Sequence, residues 1–236
     1  MKKIVLSLFI SLFVLISNVH AHGPVRQKFV QSAVVNSSAK QVWDLIQDFG
    51  NMSWHPGVVE TVETVGGNDK GATRLILLKS GGQISQELKK SSAKKMKLGY
   101  KTPTDDMQVM RTINFKGKDE PVRAFPLTGL VFSVVIKEIG ADQSQIFWRT
   151  GYFRGYMNNL NPNELPPLME AAASAAIQGY IRSGILGILK NFDSSATMAA
   201  IEECKEEKGK NQDEKVEIEE GDETKIRTIR KKCAFG

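Results

Sequence analysis

The chain has 236 residues, 41% hydrophobic and 8% aromatic, with 32 Lys+Arg against 26 Asp+Glu for a net charge of +6. That supplies one good-sized core, or one domain with an appendage. With two cysteines and three histidines, there is no Cys-x-x-Cys-His haem attachment, and no Gly-x-Ser-x-Gly elbow, phosphate loop or dinucleotide fingerprint occurs.

Lys2 and Lys3 precede an apolar run from Ile4 to Ser17, and Val19-His20-Ala21 supplies a small-x-small cleavage pattern. The run, about 14 residues, is too short for a permanent span. The expectation is an exported, periplasmic protein that begins at His22 after a signal peptide over 1–21. Charge divides what remains. Residues 194–236 carry 11 acidic and 9 basic residues and a single aromatic, Phe235, whereas 22–193 is net basic and rich in aromatics. A boundary near Ser194 follows, with a main domain over 22–193 and a charged tail over 194–236.

Lys28 to Val35 reads as a first strand. Asn36-Ser37-Ser38 caps a helix in which Val42, Leu45, Ile46 and Phe49 recur at helical spacing, and Gly50-Asn51 stops it. Short β-type runs follow: VVETVETV, TRLILLK, QISQELKK, KKMKLGYK, MQVMRTINF, LVFSVVIKEI and SQIFWRTGYF. A Pro-rich loop leads into a long helix from about Leu168 to Phe192, with Met169, Ala172, Ala176 and Tyr180 on one stripe and Ile177, Ile181, Ile185 and Leu189 beside it. The order predicts an α+β fold in which a curved antiparallel sheet grips one long helix. Beyond it, SATMAAIEECKEEK reads as a short polar helix. KVEIEEGDETKIRTIRKK reads as a hairpin or as a disordered charged extension, both readings standing. Cys204 and Cys233 flank this unit and are expected to pair in an oxidising compartment.

Four stretches, HGPVRQK, FGNMSWHP, GGQISQELK and YFRGYMNNLNP, resemble MxaD-type periplasmic accessory proteins of methanol oxidation. These lie within the helix-grip superfamily of START-like and polyketide cyclase-like (SRPBCC) domains. The resemblance covers His22 to about Asp193 and leaves the tail outside. It implies a protein that promotes electron transfer from methanol dehydrogenase to its cytochrome c. The leading expectation is a non-enzymatic protein without a cofactor; the alternative is an enzyme or carrier acting on a hydrophobic small molecule in the helix-grip cavity.

Three groups of residues carry the candidate chemistry. Trp54 and His55 lie after the first helix, where a helix-grip fold has its cavity mouth. Trp54 would form an apolar plate and His55 one polar handle for a small hydrophobic ligand; a loop-anchoring role for His55 stands equally. With no evident nucleophile beside it, His55 is not expected to be catalytic. In TGYFRGYMNN, Ile146, Trp148, Thr150 and Tyr152 share one strand face, and Phe147, Arg149, Gly151 and Phe153 the other. Trp148, Tyr152, Arg154, Tyr156, Asn158 and Asn159 are the ligand-side candidates there. Lys89, Lys90, Lys94, Lys95 and Lys97 surround one hairpin tip and make a positive field suited to an acidic protein partner. Without interleaved aromatics, the tip is not a nucleic-acid site. Metal binding has one geometry, copper on the α-amine and imidazole of a terminal His22 with His55 as a third nitrogen; no metal site is the leading expectation.

Overall fold

Gln27–Val35 opens the fold as β1; the computed structural model describes residues 26–115, 117–154 and 167–204. Ser38 caps the next element, its hydroxyl accepting from the Gln41 N–H while the Gln41 side chain reaches back to the cap. This reciprocal arrangement starts α1, Ala39–Ile46, which buries Val42, Trp43 and Ile46.

Four strands then run as an antiparallel meander: β2 (Val58–Val65), β3 (Thr73–Leu78), β4 (Gln83–Ser92) and β5 (Lys97–Thr102). Period-two burial is clean in β3 and β5, so one face is core and the other solvent. β6 (Val109–Phe115) and β7 (Lys118–Arg123) form a separate two-stranded sheet. β8 (Leu127–Gly140) and β9 (Gln143–Arg154) complete the wall, and α2, Pro167–Phe192, crosses it. With β10 (Glu202–Cys204), the main sheet has eight strands in the order β10-β1-β9-β8-β5-β4-β3-β2, which is the expected α+β helix-grip architecture.

Four local expectations change. MQVMRTINF is a strand over Val109–Phe115 as predicted, but its ladder is with β7, and it meets the main sheet through a bridge between Met107 and Ile84 of β4. β7 itself, KDEPVR, lacks alternation and carries Pro121, so no strand signal marks it. On α2 the buried stripe is Ala173, Ile177, Tyr180, Ile181, Ile185, Ile188 and Leu189, while Ala176 is exposed. The helix turns its large isoleucines inward because each removes more apolar surface from water than an alanine does. Finally, the stretch from Ser195 is not a helix over its described part. Met198–Ala200 makes one 3-10 turn and Glu202–Cys204 forms β10, antiparallel to β1.

The last change has a physical cause. β1 would otherwise be an open edge with unpaired backbone groups. Arg182 of α2 donates to the carbonyls of Met198 (3.0 Å) and Ile201 (3.4 Å), and Ile201 is buried, which seats the segment against that edge. The expected hairpin after Lys215 and Cys233, the other half of the expected bridge, lie outside the described residues.

Candidate functional site

The loop between α1 and β2 is wound by short-range hydrogen bonds. The Gly50 N–H donates to Asp48 Oδ1 (3.0 Å), that of Ser53 to Asn51 Oδ1 (2.9 Å), and that of His55 to the Met52 carbonyl (2.9 Å). The Trp54 indole donates to the Asn51 carbonyl at 3.0 Å. These turns drive Met52, Trp54 and His55 inward, and His55 is only 1% exposed.

The Gly57 N–H donates to His55 Nδ1 at 3.0 Å, so the neutral imidazole carries its proton on Nε2. Burial, and secondarily the positive charge of Arg74, hold its pKa down at about 3, against an ordinary value of 6.5. Its ring stacks on Tyr180 (4.4 Å between centroids, 28°) and meets Trp148 edge-on (5.9 Å, 87°). Trp148 also lies 6.0 Å from Trp54 and 6.1 Å from Tyr180, and Phe125 (5.6 Å) and Phe132 (6.1 Å) pack on Tyr180 as well.

Two glycines let α2 come this close. A Cβ on Gly184 would stand 2.4 Å from Trp148 Cζ3 and 2.8 Å from His55 Nε2, and one on Gly187 would stand 2.0 Å from the Trp54 carbonyl oxygen. Both positions need the missing side chain for close approach, whereas Gly179 has open space around it.

Beside this aromatic cluster lies a buried cation. Arg74 is 2% exposed. Its Nε donates to Gln86 Oε1 (2.8 Å) and its Nη1 to the Phe49 carbonyl (2.6 Å), and the guanidinium lies over the rings of Phe49 (4.1 Å) and Tyr100 (5.0 Å). Burial weakens its hold on the proton, Tyr100 and Tyr180 oppose that shift, and Asp48 adds only a lesser electrostatic effect. The guanidinium nonetheless stays charged. Burial pushes both phenols up, Tyr100 well above its ordinary value, so both keep their protons at neutral pH.

Of the two alternating sets of β9, the inward one contains Ile146, Trp148, Thr150 and Tyr152. Trp148, Thr150 and Tyr152 are buried, and the Tyr152 hydroxyl is 2.9 Å from that of Ser174 on α2. Arg154 ends β9 opposite Leu127; Tyr156, Asn158 and Asn159 lie outside the described residues, as does His22. His55 sits inside the core rather than at a lip. Of the hairpin lysines, Lys89, Lys90, Lys94 and Lys95 are exposed and Lys97 is half-buried, and Glu87 pairs with Lys89 and, at 2.9 Å, with Lys101. No group of three metal-ligating side chains is assembled among the described residues.

Arg74, Gln86 and Tyr100 were not anticipated. Strand phase is the signal that finds them, since Arg74 alternates with Ile76 and Leu78, and Gln86 with Ile84 and Leu88, all of which are buried. A polar residue in phase with a core row is the informative exception. On the opposite face of the sheet, Arg26, Lys28, Ser133 and Arg149 line a groove of about 210 Å³ over Gly151.

Residues 26–191 match the model of the family described as polyketide cyclase/dehydrase and lipid transport. No curated protein matches. Among solved structures, the Zhui aromatase/cyclase of a Streptomyces species is similar at 9% identity and a TM-score of 0.52, covering 73% of this chain and 100% of that one. Norcoclaurine synthase of Thalictrum flavum is similar at 12% and 0.51, covering 75% and 100%. XoxI of Bacillus cereus is similar at 18% and 0.52, covering 72% and 99%. At these identities the likeness is one of fold. Two of the three are named as enzymes, so the expectation of a non-enzymatic protein draws no support from them.

Proposed function

This chain belongs to the polyketide cyclase/dehydrase and lipid transport family, whose members bind hydrophobic ligands, and from that premise we propose that it binds a small apolar molecule between α2 and the sheet. The observation that carries this reading is the aromatic cluster on Tyr180, with Trp54, Trp148, Phe125 and Phe132 around it under α2. Aromatic walls with a few placed polar groups are the usual make-up of a small-molecule site.

The reading is binding without turnover. A general base needs a free lone pair within reach of a proton, but His55 Nδ1 is occupied by the Gly57 N–H and Nε2 already carries hydrogen. Titration with naphthalene, followed by tryptophan fluorescence, tests the reading. Saturable quenching is expected. A flat titration, together with no small molecule in the native mass spectrum of protein taken from its host, would overturn it.

A second reading, the MxaD-like role, draws on the exposed lysines of the β4–β5 turn. In it the exported, periplasmic protein meets methanol dehydrogenase or its cytochrome c through Lys89, Lys90, Lys94, Lys95 and Lys97 and promotes electron transfer between them. Both readings are compatible, since the lysines and the aromatic cluster occupy different parts of the molecule.

A further inference from the structure

The polar groups inside the grip are unbalanced in kind. His55 Nε2, Gln86 Nε2, Trp148 Nε1 and the Tyr180 hydroxyl are all buried without a hydrogen-bond partner of standard geometry. Three of these four are pure donors. The Gln86 amide is fixed in orientation because its oxygen accepts from Arg74, and the His55 tautomer is fixed by Gly57.

They are also neighbours. His55 and Trp148 both pack on Tyr180. The Gln86 amide reaches toward the Tyr180 hydroxyl, and Trp148 and Arg74 reach toward that of Tyr100. Even when both phenol oxygens and the Tyr180 carbonyl, toward which the His55 imidazole reaches, are counted as acceptors, the N–H and O–H donors of the cluster outnumber them. A buried donor left unmade costs about 1–3 kcal/mol, so several in contact mark a site that something else completes.

Charge narrows what completes it. Arg74 carries its positive charge beside this cluster, and no ion pair to a carboxylate holds it among the described residues. A buried cation without a counter-charge is costly, and an incoming anion relieves that cost. Resting on the ligand-binding reading above, we infer that the grip interior takes an apolar acid, its carboxylate received by Arg74, Gln86 and Tyr180 and its hydrocarbon part by the aromatic cluster. Arg74 suits this role because a guanidinium offers paired donors in the geometry a carboxylate accepts.

Calorimetric titration of the whole protein with 2-naphthoate and with naphthalene tests this. The expectation is that 2-naphthoate binds at least about tenfold tighter than naphthalene. Tyr180→Phe should remove several-fold of that preference while leaving the fold intact, because the hydroxyl it deletes makes no hydrogen bond of standard geometry and the ring keeps its packing. Arg74→Lys, which keeps the charge but loses the fork, should weaken 2-naphthoate and leave naphthalene unchanged. Equal binding of the two compounds would overturn the inference and leave the ligand-binding reading standing, whereas no binding of either would remove both. A carboxylate preference unmoved in both variants would also overturn it, placing the anion elsewhere, with the Arg26–Lys28–Arg149 groove the first place to look. A crystal structure grown with 2-naphthoate that shows only ordered water on Arg74 and Tyr180 would count against it equally.

Discussion

The imidazole of His55 lies against the phenol ring of Tyr180, centroids 4.4 Å apart and planes inclined by 28°. The contact joins the loop after α1 to the middle of α2, so the grip closes through two aromatic rings rather than through backbone pairing. It also determines how the domain responds to acid. A protonated imidazole in this position would face the positive charge of Arg74 with little water to screen it.

The acid response follows with a definite sign. His55 titrates at about 3 in the folded protein and near 6.5 unfolded. Between those values the unfolded chain binds a proton that the folded chain excludes, so stability is full above pH 6.5 and falls as pH falls toward 3. The slope approaches about 1.4 kcal/mol per pH unit. His55→Asn keeps an acceptor for the Gly57 N–H and removes the titration. Denaturant melts from pH 7 to 4 should show wild type losing stability more steeply than the variant; parallel curves would mean His55 is protonated in the fold.

The close approach of α2 makes a paired prediction. Gly184→Ala places a methyl 2.4 Å from Trp148, and the strain should cost about 1–3 kcal/mol. Gly179→Ala meets nothing and should stabilise by up to about 1 kcal/mol through helix propensity. Thermal melts should therefore move in opposite directions for two chemically identical substitutions on one helix. Movement in the same direction would contradict the packing described for α2.

Cys204 sits on β10 opposite Val30, its sulfur 3.5 Å from the Ser32 hydroxyl. We expect it bridged to Cys233 within one chain, which on chain entropy contributes roughly 3–4 kcal/mol for a loop of roughly 30 residues. Intact mass after alkylation without reductant should show no modified thiol. Two alkylated cysteines would remove the covalent tie between the tail and the β1 edge.

Much of this fold was legible because its signals are local. The capped helix after Asn36, the alternating strands and the isoleucine row of α2 each carry their own periodicity, and the shared face of Trp148 and Tyr152 follows from strand alternation, although alternation does not say which face is inward. β10 was not legible, because EEC has no strand propensity and becomes a strand only when the open edge of β1 and Arg182 offer it partners. The site was legible in part. Trp54 and His55 stand out by type, but the inward turn of their loop depends on Asn51 and Asp48 bonds that no spacing rule reports. Arg74 was readable from its phase with Ile76. What no sequence pattern could give is the excess of donors around Tyr180, since that is a property of groups drawn from five elements and one loop.

The lysine turn makes the last prediction. β4 and β5 meet at a tight turn in which Met96 adopts φ 43°, and Lys89, Lys90, Lys94 and Lys95 are exposed on and beside it. Glu87 offsets part of the charge at Lys89 and Lys101, which leaves Lys90, Lys94 and Lys95 as the residues to change. Complementary charge raises encounter rates far more than final affinity. If methanol dehydrogenase is the partner, reversing these three lysines to Glu should slow association at low salt with little change in melting temperature. Because the screening length is about 8 Å at physiological ionic strength, added salt should bring the variant and wild type together. Surface plasmon resonance against purified methanol dehydrogenase over a salt series reads both quantities. Equal association rates at low salt would make the turn an ordinary solvated one, and a defect that persists at high salt would replace steering with direct contact.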